Sequence, residues 1–239
     1  MSWQQYGASS SRPEASALPQ ERVTFVRRTY AHLAGAIAAF LALEVLLFQT
    51  TLPATMLEFA SGGRFNWLMI LGGFVLVGWL ARAFAAKTTS IEAQYFGLGL
   101  YVVAEAVIFV PLIAIALIVS EGSPNILLQA GALTGTLFAA LTAVAFLTGK
   151  DFSFLRSFLV MGGIVALGLI VCGAVFGFDL GLAFSGGMVV LAAGAILYDT
   201  SKILRDYPSN QYVGASLELF ASVALLFWYV LRILLRMRR

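Results

Sequence analysis

From residue 29 to residue 235 the chain alternates long apolar runs with short polar breaks, the pattern of membrane-spanning helices. Each crossing needs about 20 predominantly apolar residues. Seven runs satisfy this, at about 29–48, 66–86, 95–120, 126–148, 154–177, 181–204 and 212–235. The expected fold is an all-α integral membrane protein with seven transmembrane helices. Glycines punctuate the runs, as at Gly131 and Gly135 or Gly162 and Gly163, and small residues let helices approach closely. Pro111 falls inside the third run and is expected to kink it. Residues 1–28 are polar and read as a disordered cytoplasmic tail, 29–235 as the seven-helix domain, and 236–239 as a basic tail.

Five ionisable residues interrupt these runs: Glu44, Arg82, Glu105, Asp199 and Glu218. A charge at bilayer depth costs about 2.5–3.5 kcal/mol or more, so such residues face a bundle interior or a water-filled path. At about 1.5 Å per helical residue, Asp199, Glu218 and Arg82 fall in the half of the bilayer nearest the N-terminus. Glu105 lies near the middle, and Glu44 is deeper still. Glu218 and Ser222 are one turn apart on one helix face. Structural roles remain open for each. Arg82 either snorkels to headgroups or pairs with Glu105. Asp199 either caps its own Tyr-Asp-Thr-Ser stretch or reaches across to another helix. Glu218 is a sensor partner or a packing ion-pair member. Glu44 is expected to be protonated and hydrogen-bonded to a neighbouring helix. His32 and the aromatics Trp67, Trp79, Trp228 and Tyr229 read as interfacial or packing residues.

Basic residues set the orientation. Arg12, Arg22, Arg27, Arg28, Arg82, Lys87, Lys150, Arg156, Lys202 and Arg205 fall on one side, and only Arg64 falls on the other before the C-terminal tail. The N-terminus is therefore expected in the cytoplasm. Arg232, Arg236, Arg238 and Arg239 run against this rule if the last run crosses fully. Seven full crossings are nevertheless expected, because that run is long enough and early charges dominate. The net charge of +3 follows from span-end residues and offers no basic stripe for phosphates, which argues against nucleic acid. One cysteine, Cys172, and one histidine, His32, exclude an internal disulfide and make a zinc site implausible. No catalytic motif pairs residues on two spans, so no enzyme activity is expected.

Four stretches carry a family resemblance. Leu197-Tyr198-Asp199-Thr200-Ser201-Lys202-Ile203-Leu204 resembles the sixth-helix signature of the Bax inhibitor-1 family. Thr148-Gly149-Lys150-Asp151-Phe152-Ser153 resembles its turn into the fifth helix, and Tyr95 through Pro111, with Glu105, its third helix. Phe25-Val26-Arg27-Arg28-Thr29-Tyr30 is similar to its approach to the first helix. The resemblance spans about residues 22–235. It implies six helices wrapped around a central, C-terminal seventh, and placement in a bacterial inner membrane. In the calcium-leak branch a sixth-helix carboxylate shares a proton with a seventh-helix aspartate, and a second-helix arginine acts as a latch. Members of the YccA branch regulate a membrane-bound AAA protease, and the eukaryotic TMBIM members suppress cell death and modulate calcium stores. Asp199 matches the sixth-helix position. Ser222 occupies the seventh-helix position, with Glu218 one turn away, and Arg82 stands as the latch.

Two functions follow. The first is a pH-sensitive calcium leak through Asp199, Glu218, Arg82, Glu105 and Ser222. Two close carboxylates in low dielectric do not both ionise cheaply, so Asp199 and Glu218 are expected to share a proton. Calcium takes six to eight oxygens, so these two carboxylates would hold it only weakly, as permeation requires. No cofactor is expected beyond calcium as a permeant ion. The second function is a regulator that binds a membrane AAA protease without conducting ions. Neither fixes an oligomeric state.

Overall fold

The computed structural model describes residues 20–87 and 90–238, with only the backbone of Arg64. Eight helices are described: α1 Gln20–Leu47, α2 Leu52–Ser61, α3 Arg64–Ala85, α4 Ile91–Val119, α5 Asn125–Thr148, α6 Leu155–Phe176, α7 Gly181–Arg205 and α8 Tyr212–Met237. All but α2 are long and apolar enough to cross a membrane. The α2 helix has ten residues and spans about 15 Å, too short to cross. It falls in the break between the first two apolar runs, at about 49–65. Pro53 in its first turn, where no intrahelical N–H is needed, is the local signal for its start. The long helices carry an outward skin of apolar side chains, including Leu41, Val45, Met69, Leu76, Trp79, Leu147 and Ile164. In water such a surface would aggregate; in a bilayer it meets lipid.

The seven spanning helices alternate in direction, and contacts between their ends fix two faces of the bundle. At the first end, where α1 begins, Arg22 donates to the carbonyls of Tyr207 (2.8 Å), Arg205 (3.1 Å) and Ile203 (3.3 Å). At the far end Arg236 pairs with Asp179, and Arg238 donates to Gln129. The last helix therefore runs the full length of the bundle, and the two termini of the described chain lie at opposite ends. The contacts of Arg22 correct the expected tail boundary. Residues 20–28 are helical because their first turns dock on α7, whose last carbonyls lack intrahelical donors. Residues 236 and 237 likewise belong to α8. Residues 1–19, expected to be disordered, and Arg239 lie outside the described residues.

The α8 helix is central as expected, packing on α1, α3, α4, α5 and α7. It shares the interior with α4, which packs on α1, α2, α3, α5 and α8 and is equally buried. The α4 helix runs through Pro111 without a break. The α6 helix is the outlier, held mainly by α7 and α3 and facing α8 across open space.

One crossing positions the interior charges. A Cβ on Gly97 of α4 would stand 2.5 Å from the Ala81 carbonyl oxygen and 2.7 Å from the Ala85 nitrogen. A Cβ on Gly214 of α8 would stand 2.6 Å from the Ala85 carbonyl oxygen. Only glycine lets both helices reach the α3 backbone. Polar bonds hold the same corner: Gln94 Nε2 donates to Lys87 (3.0 Å) and Asn210 (3.1 Å), and Gln211 Nε2 donates to Ala86 (3.0 Å).

Gly97→Ala is therefore expected to lower stability by about 1–3 kcal/mol, the usual cost of overpacking. Gly99→Ala, which meets nothing within 4 Å, should be near neutral. Thermal melts of the two variants in one detergent check this, and equal melting temperatures would contradict the tight crossing.

Candidate functional site

Arg82 follows Ala81 on α3, so the glycine crossing places its side chain between α4 and α8. Its Nε donates to Glu218 Oε2 at 3.1 Å, and its Nη2 donates to the Tyr101 hydroxyl at 3.4 Å. The guanidinium carbon lies 4.9 Å from the Tyr101 ring centroid, a cation–π contact. Glu105, one turn beyond Tyr101 on α4, is buried beside that hydroxyl. One turn further along α8 and about 40° round its axis, Ser222 Oγ donates to Asp199 Oδ2 on α7 at 2.6 Å. Four helices thus converge on two polar contacts one α8 turn apart.

The expected residues gather here, but not in the expected pairs. No hydrogen bond joins Asp199 to Glu218 among the described residues. The α8 helix turns Glu218 toward α3 and Ser222 toward α7, so each carboxylate has its own partner. Arg82 does not snorkel outward; it turns into the bundle, toward Glu218 rather than Glu105. Asp199 bonds across to α8 instead of capping its own stretch. Glu44 is buried on α1, away from this site, and neither carboxyl oxygen has a hydrogen-bond partner among the described residues. The interhelical bond expected of it is not formed. The buried hydroxyls of Tyr30, Thr142 and Thr200 lie close to one another.

A cavity of about 810 Å³ leads to the site. Arg82, Glu105, Glu218 and Ser222 line its inner end. Trp67, Phe74, Leu167, Ile170 and Leu191 form apolar walls, and Asp179 and Arg232 line the far end. The partial exposure of Arg82 and Glu218, 42% and 35% of their side chains, is thus exposure to this space. Asp199 does not line it; Ser222 stands between. Among the described residues no group of three or more Asp, Glu, His or Cys side chains gathers as a metal site.

Sequence reasoning missed Tyr101, Asp179 and Arg232. Tyr101 was legible, since it lies four residues before Glu105 on one helix face. The role of Asp179 at the mouth was not, because nothing local links the α6–α7 turn to the end of α8. Asp179 Oδ1 accepts the Gly181 N–H at 3.1 Å, and its other oxygen pairs with Arg236. The Gly181 amide, then Arg236 and Arg232, hold this carboxyl below the usual aspartate range.

Comparison of the sequence with known proteins finds a family. A family model described as "Inhibitor of apoptosis-promoting Bax1" matches residues 22–239. The chain is 30% identical over 227 residues to the Modulator of FtsH protease YccA of Escherichia coli, covering 95% of each chain. It is 25% identical over 234 residues to Protein LIFEGUARD 4 of Arabidopsis thaliana, covering 95% of this chain and 90% of the relative. An uncharacterized membrane protein of Vibrio cholerae is 35% identical over 112 residues. That match covers 46% of this chain, which spans only half the length of that relative.

The mouth contact carries a pH dependence. A carboxyl whose folded pKa is depressed stabilises the fold above its ordinary pKa, about 3.9, and loses that contribution as pH falls through the depressed value. Melting temperature is expected to fall more for the parent than for Asp179→Asn between about pH 4.5 and 2.5. Parallel curves for the two proteins would mean that Asp179 contributes nothing at the mouth.

Proposed function

This chain belongs to the Bax inhibitor-1 family, and within it we propose a proton-sensitive cation leak, for calcium, closed by the Arg82–Glu218 ion pair. The observation that carries this reading is the cavity, which runs inward from Asp179 and Arg232 and stops at that pair. With the N-terminus in the cytoplasm, as the basic residues favour, the cavity opens to the outside. An ion entering it would meet a fixed cation, Arg82, whose charge Glu218 cancels. Neutralising Glu218 would leave Arg82 uncancelled, and Arg82 repels cations. Displacing Arg82 leaves Glu218 and Glu105 as oxygen ligands. These are too few for tight calcium binding and suit brief transit. Asp199 and Ser222 would form the next step inward.

A second reading is favoured by one comparison. The relative named as a modulator of FtsH protease aligns over 95% of both chains. In this reading the chain binds a membrane AAA protease, and the interior charges only hold the bundle together. Ser222, standing where the leak branch has an aspartate, is consistent with it.

Calcium influx into proteoliposomes holding only this protein separates the two readings. Arg82→Gln, which leaves Glu218 uncancelled, is expected to raise influx about tenfold, the equivalent of about 1.4 kcal/mol. Glu218→Gln, which leaves Arg82 uncancelled in the path, should lower influx by a similar factor and flatten its pH dependence. The double variant should lie between them. Absence of parent flux from pH 5.5 to 8 would eliminate the leak and leave the protease regulator.

A further inference from the structure

Arg232 and Arg236 are basic residues at the end of the bundle where the orientation rule calls for few. A second cavity of about 400 Å³ lies beside them, between α2, α4 and α8. Its polar rim is Arg232, Arg236 and Ser61, and its walls include Leu57, Leu112 and Ile115. Trp67 and Trp228, stacked with centroids 6.1 Å apart, separate it from the larger cavity. Phe109 holds Trp228 edge-on at 4.9 Å.

The charge balance is asymmetric. Asp179 is the carboxylate that faces this pair, and its ion-pair partner is Arg236. Arg232 lies within electrostatic reach of Asp179 but makes no hydrogen bond or ion pair to any described residue. Two guanidiniums against one carboxylate leave one positive charge at the rim. A guanidinium offers five N–H donors in a planar fork suited to phosphate. Below the rim the walls are aliphatic and aromatic, so a free anion would fill only the top of the space. The short α2 helix closes one side of the cavity.

We propose that this cavity is a binding site for an anionic phospholipid. The phosphate sits on Arg232 and Arg236, and an acyl chain lies along Leu57, Leu112 and Ile115. The arginines that the orientation rule leaves unexplained then have a ligand in the leaflet they face. This assignment does not rest on ion conduction. Because Arg232 also lines the larger cavity, a bound lipid would lie next to its mouth.

Trp67 and Trp228 serve as the reporters. In a Trp3→Phe, Trp79→Phe background, fluorescence quenching by dibrominated phosphatidylglycerol is compared with quenching by dibrominated phosphatidylcholine in mixed vesicles. The glycerol lipid is expected to quench at about tenfold lower mole fraction, as two arginines near a headgroup would give. Arg232→Gln with Arg236→Gln should bring the two lipids to parity, while Arg232→Lys alone should keep most of the preference. Ala60→Phe, which fills the cavity and leaves both arginines, should weaken quenching by the glycerol lipid. A variant keeping only the lipid-facing Trp79 should show no preference. Equal quenching by the two lipids in the parent background, or a preference that survives the double substitution, would overturn the proposal. So would a preference abolished by inorganic phosphate alone, which would make this a simple anion site.

Discussion

A guanidinium inside a bilayer must have its charge answered nearby, and much of this bundle is arranged around meeting that need for Arg82. Its partner Glu218 lies on the central helix, and Tyr101 offers both a hydroxyl and a ring face. These partners meet Arg82 only because α4 and α8 approach α3 at glycine distance, through Gly97 and Gly214. The ion pair and the tight crossing depend on one another. A wider crossing would strand Arg82 from Glu218, and an unpaired Arg82 would favour a route out to headgroups. Truncating one partner of such a pair costs more than the pair contributes, because the other charge is left without compensation. Interior polarity and helix packing are therefore one constraint here.

The same logic explains why α6 stands apart. A helix that closed on α8 would bury Arg82 and Glu218 completely. Instead α6 rests on α7 and α3, and the space left between α6 and α8 keeps the pair in contact with a cavity. The walls of that cavity are mostly apolar, so its polarity is confined to its two ends. Asp179 and Arg232 mark one end, and Arg82, Glu105, Glu218 and Ser222 mark the other.

Much of this was legible in the chain. The seven spanning helices followed from run length and turns, and the interior charges were visible as breaks in the hydropathy. The helix that was missed, α2, has ten residues, too few to stand out in a pattern read by runs long enough to cross a bilayer. The start of α1 was placed too late because its docking partner, the end of α7, lies about 180 residues away in sequence. Which carboxylate meets which partner was not legible at all. Glu218 and Ser222 share a face by spacing, yet a few tens of degrees around the helix axis decide whether a side chain meets α3 or α7. Such rotations are set by packing at Gly97 and Gly214, and local sequence does not report them.

The serine at position 222 has a consequence for both functional readings. A hydroxyl donating to Asp199 satisfies one carboxylate oxygen without adding a charge. Two carboxylates in that place would repel when ionised, and the repulsion would act directly to separate α7 from α8. With Ser222 the α7–α8 contact carries one carboxylate rather than two, and Glu218, one turn away, is paired with Arg82. In the leak reading the element that must give way is then α3 with its arginine. In the regulator reading the interior contacts only hold the bundle together. The two readings thus differ in whether α3 moves, a property of the bundle itself and independent of any partner.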